Sequence, residues 1–485
     1  MATAISLQLA ERLLIQPEKL AQGLILFLLA TVPLVFGSVH PIVQAVYTVL
    51  ILVGLGGWLL FVMPELSWKD FSTFWLIVPL VLLVFIVLQS LPLPLHMVEL
   101  LSPARAERIN MVNSLAQTEL TTAAISDNGI AGLRETIFGV SLLLYYLVLT
   151  TLLKRDKKIV FTLLYVIAGV GLFEGVYGLL QVMNPHIGIL WLSVTSKGAA
   201  HGTIIYKNQY ASLLNMCWPL ALAGGILFLD SLKDRVTRGS RKSRVQEFFQ
   251  SLSLVNIQAP LFFFAAGVMI LAVLFSLSRG GILVMLLLIV LLNLFLPSAR
   301  RIKLVLTVLL LLFMGGYGSL LGLEEVFRRF DTIDESGLGR FHVYISSLPM
   351  LLDHWFTGIG LGSYKLLSGV YLKGFPENLL FDRAHNDYLE LALEVGLPMA
   401  LLFFVWLLSG ILVTGKKLVQ KSRILHAECR TSMIVGCAAF CSLLGFLIHG
   451  LVDFGWRLPA NALYAVTMVA LITHAIQDHR LPAED

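Results

Sequence analysis

LELALEVGLPMALLFFVWLL, residues 389–408, is the stretch that decides the fold. It is twenty residues long and, apart from Glu390 and Glu394, apolar or small. About twenty such residues are what an α-helix needs to cross a hydrocarbon layer of about 30 Å. Runs of this kind recur along the chain. Twelve spans are expected, near 21–38, 42–62, 72–91, 133–153, 159–181, 209–229, 260–277, 280–296, 304–322, 387–413, 431–450 and 459–476. Composition agrees: of 485 residues 57% are hydrophobic and only 13% charged, with mean hydropathy +0.84. A soluble domain carries about 25% charged residues. Lipid offers no partner to an unpaired backbone amide, and no alternating barrel pattern appears, so the spans are helices. The fold class is an all-α polytopic membrane protein of about 12 transmembrane helices, a single integral membrane domain over 1–485. Residues 1–20, of mixed charge and helical apolar pattern, are expected to lie along the interface rather than serve as a cleaved leader.

Charge sets the orientation. With the N-terminus in the cytoplasm, every strongly basic short loop is cytoplasmic: 154–158, 233–244, 300–303 and 416–430. Of the 35 Lys and Arg, 22 then fall inside and 13 outside, the asymmetry expected of cytoplasmic loops. The even span number returns the C-terminus to the cytoplasm. Three outer segments remain, 92–132, 184–208 and a large periplasmic loop, 323–386, between spans nine and ten. Cys217, Cys437 and Cys441 fall in spans and Cys429 in a cytoplasmic loop, a pattern that suggests neither disulfides nor zinc.

Basic residues placed outside run against this bias and need a reason. Lys207 precedes span six, and Arg279 lies in Ser278-Arg279-Gly280-Gly281, the connection between spans seven and eight. A guanidinium at the hydrocarbon edge either snorkels to headgroups or binds an anion, and flanking glycines let backbone N–H groups approach the same anion. Arg340 and Arg383 lie in the large loop. Arg457 follows Asp453 by four residues, a spacing that also permits a simple ion pair across one helical turn.

Arg383-Ala384-His385-Asn386-Asp387-Tyr388 joins the large loop to span ten. His385 is the natural acid–base candidate, since imidazole titrates near neutrality. Arg383 would favour the neutral ring and Asp387 the cation. The bland alternative is a histidine at a helix start capped by Asn386 or Asp387. Glu390, Glu394 and the mid-span Glu174 are costly at membrane depth unless paired, so a structural hydrogen bond is their simplest role. Gly358-Ile359-Gly360-Leu361-Gly362 follows an amphipathic stretch, 340–355. With no strand before it, it reads as a tight turn rather than a nucleotide loop. No Asp-x-Asp occurs, so neither a metal nor another cofactor is expected, and no nucleic-acid partner.

Four stretches together resemble the bacterial O-antigen ligase and O-antigen polymerase superfamily, the membrane glycosyltransferases that share the O-antigen ligase domain. They are Gly202-Thr203 through Tyr206-Lys207-Asn208-Gln209-Tyr210-Ala211; Ser278-Arg279-Gly280-Gly281; Gly358 through Ser363-Tyr364; and His385-Asn386-Asp387-Tyr388-Leu389-Glu390 through Glu394-Val395-Gly396-Leu397-Pro398. Their order and topology match over about 200–410, and His449-Gly450-Leu451-Val452-Asp453-Phe454 also looks familial. The resemblance implies a GT-C-like fold in the bacterial inner membrane. It also implies metal-independent transfer of a glycan from undecaprenyl pyrophosphate, or a similar polyprenyl carrier, to an acceptor hydroxyl at the periplasmic face. It implies that Arg279 binds pyrophosphate and that His385 activates the acceptor. Lys207 and Arg340 are expected to join Arg279 on the pyrophosphate, and Arg383, Asp387, Glu390, Asp453 and Arg457 to support the site. The family often carries arginine where Lys207 stands; lysine keeps the charge but loses the bidentate fork.

Three functions fit this reading: a ligase of lipopolysaccharide biosynthesis, a polymerase of carrier-linked repeats for O-antigen or exopolysaccharide, and a lipid or sugar transporter. The transporter would usually leave an internal repeat, and none is found. Expected partners are the carrier-linked glycan donor, a lipid or glycan acceptor, and membrane lipids.

Overall fold

The computed structural model describes residues 17–62, 73–190, 198–238, 257–298, 303–304, 307–308, 311–312, 315–316, 333–372, 381–423 and 429–477. In chain order these form α1 (Pro17–Leu34), α2 (Pro41–Val62, with a π-helical turn at Ile51–Leu55), α3 (Phe74–Ser90), β1 (Pro92–Pro94), α4 (Leu95–Leu101), α5 (Pro103–Ala116), β2 (Thr122–Ala124), α6 (Gly129–Arg155) and α7 (Ile159–Met183). There follow α8 (Lys207–Arg238), α9 (Gln258–Phe275), α10 (Arg279–Phe295), α11 (Ile333–Asp353), α12 (Tyr364–Tyr371), α13 (Asp387–Arg423), α14 (Arg430–His449) and α15 (Pro459–Gln477).

Among the described residues nine helices are long and apolar enough to cross a membrane, and α3 and α10 are apolar helices of 17 residues each. Together they coincide with eleven of the expected spans. The span expected at 304–322 and the interfacial stretch 1–20 lie mostly outside the described residues, as do parts of the loops 233–244, 300–303, 323–386 and 416–430. The four cysteines are buried and free, as their placement suggested.

Helix α8 forms the centre of the bundle. It packs on α7, α9, α10, α14 and α15, and Leu213, Leu214, Met216, Cys217 and Trp218 are fully buried. At the periphery α10 turns Leu283, Leu286, Val290 and Leu294 outward, and α13 does the same with Leu401, Val405, Leu408 and Leu412. Steps of three and four residues put each set on one helical face. Such faces are stable only against lipid.

The segment 92–132 folds over one end of the bundle, opposite the end that carries Arg155. Strands β1 and β2 pair antiparallel, Pro92 opposite Ala124 and Pro94 opposite Thr122. Arg105 and Arg108 of α5 both bind Asp127, at 2.5 and 2.8 Å. Arg108 also donates to His354 Nε2 (3.0 Å) just past α11, and Ser102 contacts the other ring nitrogen at 3.3 Å. Burial first, and then Arg108, pushes His354 down to about 4, so its ring is the neutral acceptor this contact needs. These bonds fix α11, which carries Arg340.

The glycine-spaced stretch is a turn, as its lack of a preceding strand implied. Gly358, Gly360 and Gly362 all have positive φ. Ile359 and Gly360 donate to the carbonyls of Leu393 and Glu394, at 3.0 and 2.9 Å. Those carbonyls are accessible because α13 breaks at Gly396 (φ 78°, ψ 161°) ahead of Pro398. A Cβ at Gly396 would lie 2.5 Å from the Phe356 carbonyl oxygen. Gly396→Ala therefore combines a backbone conformation essentially confined to glycine, about 1–3 kcal/mol, with a backbone overlap. The expected result is a clear fall in thermal unfolding midpoint of detergent-purified protein; an unchanged midpoint would contradict this packing.

Candidate active site

Helix α13 begins beside the candidate base. The Asn386 side-chain oxygen accepts from the N–H groups of Tyr388 and Leu389, both at 3.0 Å, so Asn386 is the cap and His385 stands just outside the helix. His385 has a left-handed backbone, φ 53°, a rare conformation away from glycine. Two bonds hold it there. The Tyr344 hydroxyl of α11 donates to the His385 carbonyl at 2.8 Å, and the Asp387 N–H donates to Gly450 O at 2.8 Å. The imidazole then meets the Phe454 ring edge-on, centroids 5.1 Å apart. Its Nδ1 lies 3.3 Å from Asp453 Oδ1.

Asp453 is the hub of the site. Its Oδ1 also accepts from the Phe454 N–H at 2.8 Å, and its Oδ2 accepts from the Asn208 amide and from Arg340 at 3.4 Å. Burial alone would raise this carboxyl. The His385 hydrogen bond and the Arg340 charge outweigh it and leave the group below the ordinary aspartate range. An ionised carboxylate only accepts, so Nδ1 faces it with a proton and Nε2 is the nitrogen left to face an acceptor hydroxyl.

Two expectations are corrected here. Asp387 does not reach the imidazole. Its buried carboxylate accepts from the N–H groups of Gly455 and Trp456, at 2.9 and 3.2 Å, tying the 449–459 turn to α13. The residue beside His385 is Asp453, 68 positions away. Nor do Asp453 and Arg457 pair with each other, because the chain between them is turn rather than helix. Arg457 instead joins Glu390, and Glu394 at 2.9 Å. Arg383 binds the same Glu390 at 2.8 Å and lies over the Phe454 ring, 5.8 Å from its centroid. Glu394 also accepts from the Gly362 N–H at 2.9 Å. Arg383, Glu390, Glu394 and Arg457 thus form a buried ionic knot under His385. Glu174 is structural as well: it accepts from the Thr203 hydroxyl (2.5 Å) and N–H (2.8 Å), fixing the turn ahead of Lys207.

The three candidate phosphate ligands come together. Lys207, Arg279 and Arg340 line one cavity of about 200 Å³, with Asn208, His449 and Asp453 in its walls. Lys207 opens α8 and Arg279 opens α10, so two helix N-termini face the same space. Their partial positive charge adds to the cations and suits a phosphate-type anion. A second cavity, about 220 Å³, is lined by His385, Arg383, Tyr206, Gln44 and Glu135 among others. The His385–Asp453 pair stands between the two, His385 on one and Asp453 on the other. Asn208, Tyr344, Gln44 and Glu135 had not been singled out. Asn208 lies inside a motif already quoted, whereas nothing in its own segment marks Gln44.

No curated protein matches the chain. The family model described as O-antigen ligase matches residues 264–404. That stretch contains Arg279, Arg340, Arg383 and His385, and stops short of Lys207, His449, Asp453 and Arg457. Over this stretch the chain is similar to the O-antigen ligase domain, set within a helical membrane architecture.

Proposed function

We propose that this protein is an O-antigen ligase-type enzyme that transfers a glycan from polyprenyl pyrophosphate to an acceptor hydroxyl at the periplasmic face of a bacterial inner membrane. The observation that carries the reading is the convergence of Lys207, Arg279 and Arg340 on one cavity, one aspartate away from His385. Cations clustered where the positive-inside rule disfavours them have a purpose if the ligand is a pyrophosphate. Both termini then lie in the cytoplasm.

In this mechanism the donor's pyrophosphate sits among the three cations and the acceptor enters from the second cavity. His385 Nε2 takes the acceptor proton, and the acceptor oxygen attacks the anomeric carbon. The bond from that carbon to the phosphate oxygen breaks, and its electron pair leaves on the pyrophosphate. A single displacement inverts the anomeric carbon. Asp453 holds the ring by Nδ1 and stabilises the imidazolium that forms. The cations of the chain neutralise the departing charge.

The test uses the purified protein in lipid with carrier-linked glycan. Without an added acceptor, no new product is expected; with a lipid A–core acceptor, glycosylated lipid should appear. Longer carrier-linked chains from the donor alone would identify a polymerase instead. No glycan product under either condition would remove the glycosyltransferase assignment.

A further inference from the structure

His449 ends α14 with its side chain in the wall of the cationic cavity, and it is only 4% exposed. Neither of its ring nitrogens meets a hydrogen-bond partner among the described residues. Buried polar groups are nearly always paired, and an unmet one costs folding free energy. Packing alone therefore gives no reason for an imidazole here. The neighbouring helix accommodates it closely: a Cβ at Gly280 would lie 3.1 Å from His449 Nε2, so glycine lets the first turn of α10 sit against the ring. That turn is already aimed at the cavity. Ser278 caps it by accepting from the Gly281 N–H at 3.2 Å, and the Ile282 N–H donates to the Ser278 carbonyl. Gly280 is the second residue of this helix, in the turn whose N–H groups have no partner within the helix. The carbonyl end of His449 is used elsewhere, accepting from Val452 and Asp453 at 3.1 Å each.

The geometry points to His449 as a further ligand of the bound pyrophosphate, its Nε2–H donating to a phosphate oxygen at the N-terminus of α10 alongside Arg279. This rests on the cavity being the pyrophosphate site. The role differs from that of His385. His385 shares Asp453's carboxylate and keeps Nε2 as an acceptor, whereas His449 supplies a donor from the end of α14. An anion is a partner that satisfies this donor in a cavity lined by Lys207, Arg279 and Arg340, and Asp453, the carboxylate in the same wall, already accepts from Asn208, Arg340 and the Phe454 N–H. A neutral ring suffices, so the contact needs no extra proton.

The test is equilibrium binding of inorganic pyrophosphate to the full-length protein in detergent, with thermal unfolding run in parallel to show that each variant is folded. Wild type should bind, and Arg279→Ala should bind much more weakly. His449→Leu should weaken binding by about 10–100-fold, the usual worth of a hydrogen bond to a charged group. His449→Gln, whose amide reaches the Nε2 position, should restore most of it. If Arg279→Ala loses binding while His449→Leu binds like wild type, His449 is not a ligand and the cavity assignment stands. If wild type itself does not bind, the cavity assignment and this inference both fall. Should His449→Leu not fold, His449→Gln is compared with His449→Asn, whose shorter amide reaches only Nδ1. Tighter binding by Gln supports the inference; equal or tighter binding by Asn overturns it.

Discussion

Replacing His385 by asparagine is expected to lower glycan transfer by about 10²–10⁴-fold, the usual contribution of a general base, while leaving the unfolding midpoint close to wild type. Asparagine is the informative substitution because residue 385 has φ 53°. Among side chains asparagine tolerates that left-handed conformation well, and its amide cannot accept a proton at working pH. Alanine would add a backbone penalty and blur the result. Asp453→Asn should act in the same direction through the imidazole, since an amide facing Nδ1 no longer fixes which nitrogen is protonated. Initial transfer rates beside thermal unfolding decide the matter. A His385→Asn protein with wild-type transfer would remove the base assignment, and one that fails to fold would show that the histidine is there for structure.

Arg457→Leu is the second large effect, and it falls on stability. Glu390 and Glu394 are almost fully buried at the start of a membrane helix, and both bind Arg457. Removing one partner of a buried ion pair leaves charge uncompensated and costs about 3–5 kcal/mol. Arg383 covers only part of the loss, because it reaches Glu390 alone. Detergent-purified Arg457→Leu is therefore expected to unfold far below wild type or not to accumulate. Adding Glu394→Gln should recover part of the loss, because the second change removes the carboxylate left unpaired. A single variant as stable as wild type, or a double variant less stable than the single, would show that the knot does not hold this end of α13.

How much of this was legible beforehand depends on the distance each signal travels along the chain. Hydropathy over about twenty residues is local, so α14 and α15 were placed within one position at each end. Arg279 and Lys207 were conspicuous because the expected orientation places them outside, against the positive-inside bias, and the structure brings both to one cavity. Partnerships were not. His385 and Asp453 are 68 residues apart, and sequence offered Asp387 merely because it was near. A helical pairing of Asp453 with Arg457, one of the two readings that their spacing allows, fails because the chain turns between them. His449 was visible only as the first residue of the stretch 449–454, with no role attached, because its place in the cavity wall depends on Gly280, a residue on another helix.

The length of α10 has a further consequence. Its 17 residues, at 1.5 Å each, make about 26 Å, against about 30 Å of hydrocarbon. Its outer face is apolar along this length. A helix shorter than the hydrocarbon is accommodated by local thinning, by snorkelling of flanking residues or by oligomerisation. Were the bilayer to thin there, its phosphate layer would come down toward the guanidinium that begins the helix. A lipid-borne anion arriving sideways would thus meet its ligand at headgroup depth, with less of its charge carried through oil than a full-thickness membrane would demand.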